Sequence, residues 1–268
     1  MWKLLLIPAI LYLGVCVVAF FAQTALLFPA RLALPAGPPP STAGPLELAT
    51  PDGHRLHGLH IPPAGGRDGE RLLILGFGGN AWNAAAAAEY LHELYPRADV
   101  VAFHYRGYAP SGGSPGAAAL QADALLIHDQ ARERLRPARV VAVGFSVGSG
   151  VAAHLAARRR LDGAILVTPF DSLSELAAGH YPWLPVRLLL RHRMEPAAEL
   201  RGAALPVALI AGERDTLVPP ARTEALARAV PNLVLLRIIA GAGHNDIYQG
   251  EDFRAAMREA LARIASAA

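Results

Sequence analysis

Short apolar runs alternate with longer helical patterns along most of the chain. The helical patterns lie at 81–95, 117–135, 147–160, 221–229 and 252–265. Both the apolar runs and these patterns have the lengths of strands and helices in α/β proteins. The sequence therefore predicts a mostly parallel, doubly wound sheet with helices on both faces. The predicted strands are Arg71–Phe77, Val100–His104, Val140–Gly144, Ala164–Thr168, Val207–Ala211 and Val234–Ile239.

Two further apolar stretches, Leu46–Ala49 and Arg55–Ile61, flank the dipeptide Asp52-Gly53. This dipeptide readily adopts the positive φ angles of a tight hairpin turn. We therefore expect an antiparallel pair of strands at the start of the folded domain.

The N-terminus is an uncharged apolar segment that runs from Leu4 to Ala30. About 20 apolar residues are enough to cross a bilayer as a helix. A cleavable signal peptide is the alternative, but small residues are poorly placed for cleavage here. We expect a transmembrane anchor over 1–30, a Pro-rich linker over 31–45 and a catalytic domain over 46–268. Lys3 before the span and Arg31 after it give little charge asymmetry. We expect the domain outside the cytoplasm, which means the periplasm if the source is bacterial.

Charge and cysteine content narrow the classes of function. The net charge is +3, and the basic residues are scattered and not interleaved with aromatic residues along a stripe, which argues against nucleic-acid binding. Cys16 is the sole cysteine and lies inside the apolar segment. The domain is therefore expected to contain neither a disulfide nor a thiolate metal site.

A nucleophile motif follows the third predicted parallel strand. Gly144-Phe145-Ser146-Val147-Gly148 leads into a run of small residues that begins a helix. The G-x-S-x-G spacing places a serine on a strained strand-to-helix turn, where its Oγ is accessible. The alternative is an ordinary tight turn, but the strand before the motif and the helix after it favour a nucleophile at Ser146.

A serine nucleophile needs a base and an acid that orients the base. The chain has ten histidines, and His244 is the one in a loop after the last predicted strand. Asp215 follows the strand before it, so the order is Ser, Asp, His. Asp171 and Asp246 are the alternative acids because each lies near a strand end or near His244.

Backbone N–H groups are expected to bind the oxyanion that forms on the substrate. Val147 N–H lies at the start of the helix after Ser146. The second donor is expected in the glycine-rich loop after the first parallel strand, and we assign it to Asn80 N–H. An ordinary glycine-rich turn that caps the next helix is the alternative for this loop.

These pieces together resemble the α/β-hydrolase superfamily, and within it the membrane-tethered serine hydrolases called α/β-hydrolase domain-containing proteins. The similarity extends over nearly the whole chain, although Gly78 and Ala109 stand where relatives usually have histidine and glycine. The resemblance implies the α/β-hydrolase fold and the roles of nucleophile, acid and base for Ser146, Asp215 and His244. The matching pieces are 26–29, 79–81, 105–108, 144–148, 168–172, Gly212 with Asp215 and 218–219, and 243–246.

Between Asp171 and Leu205 the same fold inserts lid elements, and here the insertion is short. Aromatic and leucine residues alternate with arginines in it, a composition that suits a bilayer interface. A helix that packs its leucines on the core is the alternative. Phe77, Trp82 and Tyr181 are expected to line an apolar substrate pocket.

The sequence thus predicts a hydrolase of an acyl or lipid-like ester or thioester that needs neither metal nor organic cofactor. Its expected partners are a small acyl substrate and the membrane. A peptidase of the same fold is the first alternative, although such enzymes usually carry an added domain for which this chain has no room. A non-catalytic binding protein that has kept the fold is the second.

Overall fold

Eight strands form one mixed sheet in the computed structural model, which describes residues 2–33, 40–66 and 70–267. The order across the sheet is β1-β2-β4-β3-β5-β6-β7-β8. The first two strands pair antiparallel, β2 pairs antiparallel with β4, and the others are parallel. The strands are β1 Gly44–Ala49, β2 Arg55–Ile61, β3 Leu72–Phe77, β4 Asp99–Phe103, β5 Arg139–Phe145, β6 Gly163–Val167, β7 Val207–Gly212 and β8 Leu233–Ile239.

Helices cover both faces of this sheet, as the sequence predicts. Helices α2 and α9 pack on one face, and α3, α4, α7 and α8 pack on the other. The helices are α1 Trp2–Leu27, α2 Ala84–Leu94, α3 Ala117–Leu135, α4 Val147–Ala156, α5 Leu173–His180, α6 Val186–Leu189, α7 Pro196–Leu200, α8 Pro220–Ala227 and α9 Glu251–Ala267. Short 3₁₀ helices lie at Ala30–Leu32 and Ile247–Gln249.

The central strands are apolar throughout because both of their faces are buried. In β5, Val140 and Ala142 belong to the core under α3 and α4, whereas Val141 and Val143 belong to the core under α2 and α9. Side chains alternate between the faces of a sheet. A strand covered by helices on both sides therefore needs an apolar residue at every position.

The carboxyl ends of the six parallel strands meet at one edge of the sheet. The loops that leave this edge carry Gly79 after β3, Tyr105 after β4, Ser146 after β5, Asp215 after β7 and His244 after β8. In open α/β sheets, ligands bind at this edge. The fold thus brings together residues that lie far apart in the sequence.

The N-terminal helix ends at Leu27. By length and composition it is a candidate membrane span, and the candidate span reaches from Leu6 through the following short 3₁₀ helix to Leu32. Directly after it, Phe28 is buried in the core of the domain. The first strand, β1, begins at Gly44, inside the last two residues of the predicted linker at 31–45. Residues 34–39 of that linker lie outside the described part of the chain.

Helices α5, α6 and α7 lie between β6 and β7, where the sequence predicts a short lid insertion. We call residues 181–193, which include α6, the lid segment. It contacts α1, and His180 just before it donates a hydrogen bond from Nε2 to the carbonyl oxygen of Leu217, at 2.8 Å. The lid segment therefore lies between the N-terminal helix and the loop that carries Asp215.

Candidate active site

Ser146 lies on the sharp turn between β5 and α4. Its backbone has φ 51° and ψ −118°, a strained combination for a residue with a side chain. A Cβ atom on Gly144 would collide with the backbone of Gly148, and one on Gly148 would collide with the carbonyl groups of Phe77 and Gly78. The two glycines of the motif are therefore needed because backbone segments approach each other there too closely for a side chain.

Hydrogen bonds hold this strained turn in place. The Ser146 N–H donates to the carbonyl oxygen of Val167 on β6 at 2.9 Å. The hydroxyl of Ser149 donates to the carbonyl oxygen of Ser146 at 2.6 Å. The turn is thus fixed from the neighbouring strand and from the first turn of α4.

The imidazole of His244 lies between Ser146 and Asp215. His244 Nδ1 is 2.7 Å from Asp215 Oδ2, and Nε2 is 3.0 Å from Ser146 Oγ. Because a carboxylate only accepts hydrogen bonds, Nδ1 carries the proton, and Nε2 is free to accept the hydroxyl proton of Ser146. The structure brings together the three residues that the sequence predicts as nucleophile, base and acid.

The second carboxylate oxygen of Asp215 is also held. Oδ1 accepts the N–H groups of Leu217 at 2.9 Å and Val218 at 2.7 Å, and the side chain is fully buried. These bonds leave Oδ2 aimed at His244. The loop after β7 thus fixes the carboxylate before any substrate binds.

The two alternative acids have other partners. The carboxylate of Asp171 lies 3.4 Å from Arg222, and that of Asp246 accepts the N–H of Gly243 at 2.6 Å. Within the described ranges, the carboxylate that contacts His244 is that of Asp215.

The glycine-rich loop after β3 lies directly over Ser146. A Cβ atom added to Gly79 would stand 3.8 Å from Ser146 Cβ. In the described part of the chain, neither Val147 N–H nor Asn80 N–H donates a hydrogen bond to a protein acceptor. Both predicted donors are thus placed on the two segments that flank the serine, with their N–H groups free of internal acceptors.

Two tyrosines that the sequence analysis did not assign hold this loop. The Tyr105 hydroxyl donates to the carbonyl oxygen of Gly78 at 2.8 Å, and the Tyr108 hydroxyl donates to Asn80 Oδ1 at 3.0 Å. Burial raises the pKa of both phenols above the usual range, so both remain donors near neutral pH. The available signal was their position directly after β4, at the same sheet edge as the loop.

The three predicted pocket residues do not come together. Phe77 is 3% exposed and is part of the core under α3 and α4. Trp82 packs on the other side, against Phe145 at 4.9 Å and Tyr248 at 5.0 Å between ring centroids. Tyr181 is 51% exposed and lies in the lid segment beside Trp183. Of the three, Trp82 is the one that packs on the residue next to Ser146.

A cavity of about 880 Å³ lies under the lid, beside the Asp215 loop. Leu176, Leu184 and Val186 contribute apolar lining, while Thr216 and Pro219 border it from that loop. Arg222 lines it as well and is paired with Asp171. Glu175, His180 and Arg187 also line it, whereas Ser146 and His244 do not. Its volume is in the range of ligand pockets.

No group of three histidine, cysteine or acidic side chains within the described residues is arranged to hold a metal ion. The histidine and the acidic residue of the site contact each other and Ser146 instead. The residues present fit nucleophilic chemistry at the serine hydroxyl.

Comparisons with known proteins relate this geometry to a family. A family model described as the alpha/beta hydrolase fold matches residues 72–189. The uncharacterized protein Rv2307c of Mycobacterium tuberculosis is 35% identical over 220 residues, which cover 79% of this chain and 78% of that protein. The lysophosphatidylserine lipase ABHD12 of Danio rerio is 30% identical over 140 residues, which cover 45% of this chain and 36% of the lipase.

Solved structures agree with the fold. The Pyrococcus furiosus esterase Pf2001 superposes with a TM-score of 0.66 at 19% sequence identity, covering 88% of this chain and 93% of the esterase. At this level of identity the comparison concerns the arrangement of strands and helices.

Proposed function

The chain belongs to the α/β-hydrolase superfamily, and from that premise we propose that it is a serine hydrolase that cleaves a carboxylic ester or thioester through an acyl-serine intermediate. The observation that carries the proposal is the position of His244, 3.0 Å from Ser146 Oγ and 2.7 Å from Asp215 Oδ2. This geometry supplies a nucleophile, a base within reach of its proton, and an acid that fixes the base.

In the first half-reaction, Ser146 Oγ attacks the carbonyl carbon of the substrate while His244 Nε2 takes the hydroxyl proton. The carbonyl oxygen becomes an oxyanion, and His244 then gives its proton to the departing alcohol or thiol. Asp215 stabilises the imidazolium that exists between these two transfers. The product of this half-reaction is an ester of Ser146.

The N–H groups of Val147 and Asn80 are the proposed donors to the oxyanion. Removal of one such donor typically lowers kcat by about 10²- to 10³-fold. In this chain the loop with Asn80 is held by Tyr105 and Tyr108, so the donor does not have to be ordered when the substrate binds.

In the second half-reaction, water replaces the alcohol. His244 removes a proton from the water, the resulting hydroxide attacks the acyl carbon, and Ser146 Oγ leaves with a proton from His244. The acid is released and the serine is restored. No oxidant or reductant takes part in either half-reaction.

An acyl or lipid-like substrate is the class we propose. Leu176, Leu184 and Val186 give the 880 Å³ cavity beside the Asp215 loop an apolar part that suits an acyl chain, next to polar lining that includes Glu175 and Arg222. The names of the relatives, a lipase in one case and an esterase in another, also favour esters over peptides.

We also propose that α1 is a single-pass membrane anchor and that the catalytic domain lies outside the cytoplasm. The helix has 26 residues, which at 1.5 Å per residue is about 39 Å, more than the roughly 30 Å of a hydrocarbon core. Its exposed side chains include Ile10, Leu13 and Val18, and such a surface is costly in water.

The experiment that tests the catalytic proposal is labelling with a fluorophosphonate probe, followed by mass spectrometry of the labelled peptide. We expect the label on Ser146. Ser146→Ala removes the attachment site, and His244→Ala removes the base, so both should abolish labelling.

Ser266→Ala is the matched serine control, because Ser266 lies on the exposed end of α9 and its hydroxyl also donates to a backbone carbonyl, that of Arg263 at 3.0 Å. This variant should still be labelled at Ser146. No labelling of the well-folded wild-type chain would instead support a binding protein without catalytic activity.

A further inference from the structure

The N-terminal helix does not stand apart from the catalytic domain. The Tyr12 hydroxyl donates to the carbonyl oxygen of Trp183 at 2.8 Å. Near the other end of the helix, Phe28 packs edge-on against His192, with ring centroids 5.1 Å apart. The lid segment therefore lies along the helix from Tyr12 to its end.

Gln23 is a buried polar residue inside this otherwise apolar helix, with 6% of it exposed. Its Nε2 donates to the carbonyl oxygen of Leu189 at 3.2 Å, and its Oε1 accepts the N–H of Arg191 at 2.7 Å. In a bilayer an unpaired amide is costly. The Nε2 group also donates to the carbonyl oxygen of Phe20 in the same helix at 2.7 Å. The lid backbone supplies the other two partners that make this side chain compatible with an apolar environment.

Two neighbouring contacts extend this junction. Thr24 Oγ1 lies 2.8 Å from His192 Nε2. The guanidinium of Arg191 lies over the ring of Phe20, 4.8 Å from its centroid. The junction between α1 and the lid is thus built from specific contacts of Tyr12, Phe20, Gln23 and Thr24 on the helix.

The position of Tyr12 limits how far the lid can be from the membrane. The ten residues of α1 before Tyr12 span about 15 Å, which is roughly half of a hydrocarbon core. If the whole helix crosses the bilayer, the part of the lid that contacts it must lie at the depth of the membrane. A domain held clear of the surface by a linker is incompatible with these contacts.

The exposed surface of the lid segment fits that depth. Trp183 is 56% exposed, Tyr181 51% and Leu188 85%. Large apolar side chains of this kind are stabilised when acyl chains cover them. Residues 181–193 contain no acidic residue. Arg187 pairs with Glu175 on α5, and the charges of Arg191 and Arg193 complement anionic lipid headgroups.

We propose that the lid segment and α1 enter the bilayer as one unit, and that the ligand of this surface is a membrane that contains anionic phospholipid. The aromatic and leucine side chains of the lid lie among the acyl chains, while the arginines extend along them to the headgroups. The cavity under the lid, which Leu188 also lines, then opens toward the membrane, so that a lipid-like substrate reaches it without passing through water. This inference rests on the membrane attachment proposed above and is independent of the hydrolase chemistry.

The test uses the full chain reconstituted in vesicles of phosphatidylcholine with phosphatidylglycerol. Because Cys16 is the sole cysteine, Cys16→Ser allows one probe to be attached at a chosen site. Leu188→Cys carries an environment-sensitive fluorophore on the lid. Leu236→Cys is the matched control, because Leu236 is also an exposed leucine but lies on the edge strand β8.

We expect a blue shift of the Leu188 probe on reconstitution, quenching by nitroxide-labelled lipid and protection from iodide. The Leu236 probe should stay accessible to iodide and show no shift. Vesicle flotation of the same samples reports whether α1 inserts. If the chain floats and both probes stay in water, the lid inference is wrong although the anchor stands.

If the chain does not float, both the anchor and the lid proposals are wrong. Cys16→Ala provides a second background should serine at this buried position impair folding. Fluorophosphonate labelling of the reconstituted Cys16→Ser chain without a fluorophore reads out the catalytic proposal separately, so that its failure is not confused with failure of the lid inference.

Discussion

The hydroxyl of Tyr105 donates a hydrogen bond to the carbonyl oxygen of Gly78 at 2.8 Å, and this bond links the end of β4 to the loop that lies over Ser146. Gly79 and Asn80 follow directly, so the bond sets the height of the loop above the serine. Tyr105 has no contact with the reacting atoms and is a positioning residue. In the proposed reaction we expect it to act through Asn80.

Tyr105→Phe removes this bond and leaves the ring in place. We expect kcat to fall by on the order of tenfold, with little change in KM, because the oxyanion donor is needed most in the transition state. Steady-state kinetics on a chromogenic ester measures both constants.

Tyr95→Phe is the matched control for this prediction. The Tyr95 hydroxyl donates to the carbonyl oxygen of Met257 at 2.8 Å, in the core between α2 and α9. Each variant should lose about 1 kcal/mol of unfolding free energy, but Tyr95→Phe should keep the wild-type kcat. Equal kcat values in the two variants would contradict the positioning role of Tyr105.

Asp215→Asn tests the acid. An amide can donate a hydrogen bond to His244 Nδ1, which favours the tautomer with the proton on Nε2, so the imidazole can no longer accept the proton of Ser146. We expect kcat to fall by about 10⁴-fold without loss of the fold.

Asp171→Asn is the control, since Asp171 contacts Arg222 and not His244. It should retain activity close to that of the wild-type chain. A comparable loss in Asp171→Asn and none in Asp215→Asn would identify Asp171 as the functional acid.

The fold and the positions of Ser146, Asp215 and His244 could be predicted from the sequence because both depend on local patterns. The apolar runs gave the strands, and each predicted parallel strand overlaps an observed one, such as Val100–His104 for Asp99–Phe103. The carboxyl ends of parallel strands share one edge of the sheet. Residues that follow those ends, such as Ser146 and His244, are therefore brought close whatever the details of packing.

Side-chain direction and distant contacts were not predictable in this way. Phe77 follows Leu73 and Leu75 at a spacing of two, so it faces the same core as they do; which face of the sheet that is depends on the whole topology. The contact of Gln23 with the lid joins residues more than 160 positions apart, and no local pattern contains it.

A buried arginine gives a stability prediction. Arg106 pairs with Asp123, with Nε–Oδ2 at 3.0 Å and Nη2–Oδ1 at 2.6 Å, and it also bonds to Asp52. Because both Arg106 and Asp123 are buried, Arg106→Ala leaves a carboxylate unpaired. We expect a loss of about 3 to 5 kcal/mol of unfolding free energy, measured by chemical unfolding of the detergent-solubilised chain.

Arg159→Ala is the matched arginine control. Arg159 forms a similar two-point pair with Asp129 at 2.8 Å for both bonds, but at the surface. Its loss should cost about 0 to 1 kcal/mol. If both variants lost a similar amount of unfolding free energy, burial would not explain how much the Arg106–Asp123 pair contributes to stability.

Gln23→Leu separates the lid from the N-terminal helix without making the helix more polar. The variant removes the acceptor of the Arg191 N–H and the donor to Leu189. A backbone N–H that loses its partner opens more often, so we expect several-fold faster hydrogen exchange in residues 189–192 of the membrane-reconstituted chain, measured by mass spectrometry.

Gln130→Leu is the control, because the Gln130 amide also donates to a backbone carbonyl, that of Glu47 at 2.8 Å, but on the exposed side of α3. Unchanged exchange at 189–192 in Gln23→Leu would mean that the remaining contacts of Thr24 and Phe28 with His192 hold the lid, and that the Gln23 amide serves only to satisfy its own polar groups.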